Sequence, residues 1–168
     1  SELYQVLFGW NDTHVPLPDN PCIQEEFAAQ VKKRPNAVAV HYEGEELTYA
    51  QLDAKANQLG HFLQQRGVGN ETVIGLCVDR SMDTIVGLLG ILKAGGAYLP
   101  LDPNYPKDRL KYMIEHSRAR FVVTSSQLRE HLPESDHYIY LDEHQEAIQR
   151  QSTKNPDITV DAKNLAYI

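Results

Sequence analysis

Alternating short apolar runs and amphipathic stretches predict an α/β fold, a mainly parallel sheet with flanking helices. Three observations carry that prediction. Residues 73–78, VIGLCV, are an apolar run bounded by polar residues, which suits a strand covered on both faces. Ile85, Leu88, Leu89 and Leu92 then recur at i, i+3, i+4 and i+7, the stripe of a helix that must be buried. Residues 97–101 and Phe121-Val122-Val123-Thr124 read as extended, so strand, helix and strand form a right-handed crossover.

The chain opens with a mixed stretch holding Pro16, Pro18 and Pro21, expected to be a linker that packs along a surface. Asn20 is positioned to cap a helix beginning at Pro21, with Ile23, Phe27 and Val31 on one face. Pro35 stops it, and Lys32-Lys33-Arg34 fall where a helix C-terminus favours cations, a solvated end rather than a phosphate site. Residues 37–42 and 46–48 bracket Glu43-Gly44-Glu45 as a hairpin. Thr48 and Gln51 have capping-box spacing, Leu52, Ala56, Leu59 and Leu63 continue as a helical stripe, and Gly67 ends it.

The central stretch is residues 81–105. Ser81 caps its helix, Asp83 places negative charge in the first turn, and Gly95 or Gly96 takes the left-handed conformation that ends it. Gly87 and Gly90 lie within the helix and let it approach a neighbour. Pro100 restricts the following strand to a sheet edge or a strand end, since it offers no ladder donor. Residues 102–106 turn the chain, and Pro106 opens a helix carrying Leu110, Met113 and Ile114. Ser125-Ser126 caps a short helix over 127–132. Residues 138–141 read as a strand, 143–151 as a surface helix or loop, and 154–163 as a connector.

A formal net charge of −7 over 168 residues argues against a general nucleic-acid or anionic-membrane surface. No run approaches the roughly 18 apolar residues of a membrane span, and the N-terminus lacks signal-peptide character. The cytoplasm is the expected compartment. Two cysteines make no disulfide framework, and Cys77 is expected to be a buried free thiol.

Little reactive chemistry is legible. Gly67-Val68-Gly69 follows a helix and precedes a strand, the reverse of a phosphate loop. The seven histidines are scattered, and His131, His137 and His144 read as surface residues without metal-ligand spacing. Asp102, Tyr105 and Arg109 surround the turn after the central strand. Asp102 can accept amide bonds there, while Arg109 either pairs with Asp102 or binds another subdomain. The expected use is conformational, so Arg109→Ala lowers stability more than it changes specificity. No catalytic, cofactor-binding or metal-binding residue is assigned.

Three segments stand in order along the chain: Trp10-Asn11-Asp12-Thr13, Leu47-Thr48-Tyr49-Ala50-Gln51-Leu52, and Leu92-Lys93-Ala94-Gly95-Gly96-Ala97-Tyr98-Leu99-Pro100-Leu101-Asp102-Pro103 with its continuation through Pro106. They resemble the adenylation domains of non-ribosomal peptide synthetases, which are adenylate-forming enzymes. Asn164-Leu165-Ala166-Tyr167-Ile168 is similar to the strand that leads into the phosphate-binding loop of that family. The resemblance implies that residues 1–20 are the condensation-to-adenylation linker. Residues 21–168 would be the first part of the large N-terminal subdomain, ending just before that loop.

It further implies formation of an aminoacyl-AMP from an amino acid and MgATP, then transfer to the phosphopantetheine thiol of a peptidyl carrier protein. ATP and Mg²⁺ would be held by residues beyond Ile168, leaving residues 1–168 alone inactive as a support. The implied partners are the remainder of the domain, an upstream condensation domain, the carrier protein and the amino acid, with no nucleic acid and no membrane. The chain would be a fragment, or one stretch of a longer polypeptide interrupted at the phosphate loop. Two competing readings are a self-contained α/β ligand-binding domain and a docking segment acting through the N-terminal arm.

Overall fold

The computed structural model describes residues 2–15 and 22–168. The expected cap Asn20 and first helical residue Pro21 lie outside these. Among the described residues, six strands form two sheets: an antiparallel hairpin of β1 (Val38–Tyr42) and β2 (Glu45–Thr48), and a four-stranded parallel sheet. The latter comprises β3 (Val73–Cys77), β4 (Ala97–Pro100), β5 (Phe121–Thr124) and β6 (Tyr138–Tyr140), in the order β4-β3-β5-β6.

Local chemistry accounts for most boundaries. Glu43 and Gly44 both take positive φ, 50° and 87°, giving the two-residue turn that matches strand twist in a tight hairpin. Helix α3 (Tyr49–Gln64) opens with the expected capping box, in which the Gln51 amide donates to Thr48 Oγ1 and the Thr48 amide donates to Gln51 Oε1. Its stripe of Leu52, Ala56, Leu59 and Leu63 is buried, and Gly67 at φ +78° turns the chain into β3.

Helix α4 (Met82–Lys93) begins at Ser81 and ends at Gly95, which of the two candidate glycines is the left-handed one, at φ +88°. More of α4 is buried than one stripe, because it lies between the sheet and α3. Val86, Leu89, Ile91 and Leu92 are core residues, whereas Ile85 and Leu88 are half-buried at its margin. Gly90 faces Leu59 of α3, and a Cβ there would stand 2.7 Å from Leu59 Cδ2, so glycine sets how closely the two helices approach.

The crossovers return on opposite faces. Helices α3 and α4 cover one core with Ile74, Leu76 and Val123. On the other face α5 (Lys107–Ser117) contributes Leu110, Met113 and Ile114 to a second core with Cys77, Leu99 and Val122. Residues 126–131 form a 3₁₀ turn whose Ser126 amide donates to Asp142, and α6 (Gln145–Gln149) follows β6.

Two expectations are corrected. Helix α2 (Ile23–Lys33) starts after Cys22 and buries none of its own residues; Ile23 is exposed and Phe27 alone of its predicted face joins the core margin. The described part of the N-terminal arm, residues 2–15, is exposed throughout and is not laid along a surface. It forms a short helix α1 (Glu2–Tyr4) running into a π-helical turn, Gln5–Gly9, with Leu3, Tyr4, Phe8 and Trp10 exposed. Among the described residues no neighbouring element covers the consecutive apolar side chains there. No helix among the described residues is long and apolar enough to cross a membrane.

Candidate functional site at the carboxyl rim of the sheet

Because β3, β4, β5 and β6 are parallel, their carboxyl ends open on one rim. The chain moves outward from β3 to β4 and then crosses back to β5, and such reversals create the crevice in which open α/β sheets bind ligands. A cavity of about 760 Å³ lies at the rim between the segments leaving β3 and β4, flanked by Tyr42 from the hairpin.

Its charged groups are held locally. The Asp102 carboxylate accepts the Asn104 backbone amide and its side-chain Nδ2, both at 2.9 Å. Those bonds, the backbone one foremost, hold the Asp102 carboxyl below its ordinary range, with Arg80 and Arg109 adding to the effect. The Asp79 carbonyl accepts the hydroxyls of Ser81 at 3.2 Å and Thr84 at 3.0 Å. Arg109 stacks 3.9 Å over the Tyr105 ring, and no ion pair joins it to Asp102 among the described residues. Of the two roles foreseen for Arg109, the pairing within the turn is therefore replaced by a cation–π contact. Beneath the rim, burial pushes the Cys77 thiol up to about 12, helped by the charges of Asp102 and Asp79.

Residues 164–168 run beside the edge strand β4. Tyr167 bridges Tyr98 in parallel, the Tyr98 amide donates to Ala166 O at 3.0 Å, and the Ile168 amide donates to Tyr98 O at 3.2 Å. This segment therefore lies beside β4, on the side away from β3, and points toward the carboxyl rim.

Gly67 belongs to the helix-to-strand turn, where its carbonyl accepts Arg120 Nη1 at 2.8 Å. His131 and His137 are exposed, but His144 is half-buried, edge-on to Phe62 with centroids 5.5 Å apart, so its surface reading is corrected. Among the described residues no group of three or more His, Cys, Asp or Glu side chains converges as a metal site. The rim can bind and orient a ligand through cations, phenol rings and turn amides; no His, Cys or Ser lines this cavity.

One buried polar cluster escaped the sequence reading. Lys93, 4% exposed, stands 2.9 Å from Asp53 Oδ1 and donates to Asn155 Oδ1 at 2.8 Å. Asn57 Nδ2 donates to Asp53 Oδ2 at 3.0 Å and to Thr153 O at 2.8 Å. A signal was present: Val86, Leu89, Gly90 and Lys93 share the i, i+3, i+4, i+7 spacing, which puts Lys93 on a buried face of α4.

Comparison with known proteins places this architecture. The family model described as "AMP-binding enzyme" matches residues 27–168. One polypeptide of the linear gramicidin synthase of Brevibacillus parabrevis is 44% identical over 168 residues, covering 99% of this chain and 2% of the relative. Bacitracin synthase 3 of Bacillus licheniformis is 42% identical over 166 residues, 97% of this chain and 3% of that protein. A crystal structure of the nonribosomal peptide synthetase FmoA3, in its AMPPNP-bound form, superposes with a TM-score of 0.83 at 33% identity, covering 94% of this chain and 17% of that one. The chain thus spans a small part of the length of each. With the parallel sheet and the ordered segments already described, these matches show that the chain belongs to the AMP-binding enzyme family and, within it, to the adenylation domains of nonribosomal peptide synthetases.

Proposed function

We propose that this chain is the supporting part of a domain that activates an amino acid. In that reaction a carboxylate oxygen of the amino acid attacks the α-phosphorus of MgATP, pyrophosphate leaves, and the aminoacyl group then passes to the phosphopantetheine thiol of a carrier protein. Bringing two anions together calls for cations and preorganised amides around the phosphates. Residues 1–168 would supply none of the reacting groups. ATP and Mg²⁺ would be held by residues following Ile168, and residues 1–20 would connect to an upstream condensation domain. The cytoplasm is the proposed compartment.

The observation that carries this reading is the direction of residues 164–168. They run parallel to β4, so a chain continuing beyond Ile168 in the same direction would emerge toward the carboxyl rim, where a phosphate-binding loop would face its ligand. Similarity to synthetases over almost the whole chain supports it.

The test is amino-acid-dependent exchange of labelled pyrophosphate into ATP by the intact polypeptide that carries this chain. Exchange with one or a few members of an amino-acid panel is expected and identifies the substrate. A well-folded polypeptide that exchanges with none, and whose melting temperature MgATP does not raise, overturns the reading.

A further inference from the structure

Three non-glycine residues among those described take positive φ: Glu43 at 50°, Glu71 at 64° and Arg118 at 55°. Two have local causes, since Glu43 makes the hairpin turn and Arg118 ends α5. Glu71 lies in the turn before β3 and neither closes a hairpin nor ends a helix. A side chain bearing a Cβ is disfavoured in this region, and such a conformation persists where the surroundings over-determine it.

The surroundings here belong to a segment 89 to 94 positions further along the chain. Glu71 Oε1 accepts Asn164 Nδ2 at 2.8 Å and the Leu165 backbone amide at 3.1 Å. The adjacent Asn70 donates through Nδ2 to Thr159 O at 3.0 Å. Asn164 is itself tied into its own turn, its Oδ1 accepting the Asp161 amide at 2.9 Å. The turn at residues 70–71, left-handed at Glu71, thus holds the entry of the segment that runs on to Ile168.

That segment needs such a hold. Its pairing with β4 consists of one bridge, Tyr98 to Tyr167, and two backbone hydrogen bonds. A strand that slips by one residue turns each side chain to the opposite face and shifts its exit by about 3.3 Å. We propose that Glu71 is a positioning residue: its carboxylate fixes the register of residues 165–168 and thereby the placement of the ATP-binding loop that follows. The link to ATP rests on the adenylation reading; the register pin does not.

The experiment compares Glu71→Gly, Glu71→Gln and the control Glu43→Gly in the intact polypeptide. Glycine removes the carboxylate and relieves the left-handed strain together, so the melting temperature is expected to hold or rise. Amide exchange in the peptide covering residues 164–168 should accelerate about tenfold, the scale of one lost charge-assisted hydrogen bond. In pyrophosphate exchange, KM for MgATP should rise by about three- to tenfold on the same scale, with KM for the amino acid unchanged. Glutamine keeps an acceptor oxygen at the same reach and should restore both readouts to within about twofold. Glu43→Gly relieves comparable strain elsewhere and should leave both unaltered.

Unchanged amide exchange in Glu71→Gly overturns the pin. Faster amide exchange with an unaltered KM for MgATP, or an equal rise in both KM values, overturns the positioning role. A parent polypeptide with no pyrophosphate exchange at all defeats the adenylation reading and its ATP link, and the amide-exchange rates then decide the register pin alone.

Discussion

At Lys93 a cation is taken out of water and held by Asp53, Asn155 and, 5.8 Å from the ammonium, the ring of Phe27. Desolvating an ammonium costs several kcal/mol, so the arrangement holds only while its counter-ion is present. Asp53→Ala is expected to destabilise the domain by about 3–5 kcal/mol, read as a large fall in melting temperature. Replacing both partners, Asp53→Leu with Lys93→Met, should recover most of that loss; a double variant as weak as the single one would show that packing, not the orphaned charge, is at fault. A second residue-scale consequence concerns alkali. Burial raises the Cys77 thiol from 9.0 to about 12 and the Tyr138 phenol, which donates to Pro133 O, from 10.0 to about 12. Both groups keep their protons in the folded state where the unfolded chain has released them. Their contribution is therefore complete below about pH 9 and is lost as pH rises toward 12. Melting temperature should fall across that window, and Cys77→Ala with Tyr138→Phe should flatten the slope; an undiminished slope assigns it to other groups.

Between elements, the α3–α4 crossing depends on what is missing from Gly90. A valine there would push its Cβ to within 2.7 Å of Leu59, a side chain with no exposed surface into which it could move. Gly90→Val should cost about 1–3 kcal/mol, and Leu59→Ala introduced with it should return part of the loss. Thermal unfolding of the single and double variants separates this from a helix-propensity effect, which Leu59→Ala could not repair. Elements of this kind were legible because their causes are local. The Thr48–Gln51 capping box, the Glu43-Gly44 turn and the apolar run of β3 all lie within a few residues of the structure they produce. The connector expected over 154–163, with residues 152–153 before it, was not legible in the same way. It has no periodicity, and it is held by side chains far off in sequence: Asn57 on Thr153 O, His61 on Lys154 O and Asn70 on Thr159 O. The rim cavity was half visible. Asp102, Tyr105 and Arg109 stood out from their turn, but only the fold brings Tyr42, Asp79 and Arg80 to the same opening.

Across the whole molecule, stability is concentrated in two cores on opposite faces of the parallel sheet, and none of the arm's described residues, 2–15, contributes to either. Among the described residues, the arm's side-chain contacts are internal. Tyr4 and Phe8 lie with ring centroids 5.2 Å apart, and Asn11 Nδ2 donates to the Val6 and Leu7 carbonyls. Trp10, the side chain best able to anchor the arm, is 67% exposed. An arm that buries no apolar surface against the domain has little hydrophobic free energy to lose, since that term scales with the area removed from water. Deleting residues 1–15 should therefore leave the melting temperature of the domain within about 1–2 °C of the parent, less than the shift a 1 kcal/mol change brings. A drop of many degrees would mean that the arm packs on the domain after all. If stability holds, the exposed row of Leu3, Tyr4, Phe8 and Trp10 is independent of the fold that supports the rim, and pyrophosphate exchange by the deleted form should match that of the parent.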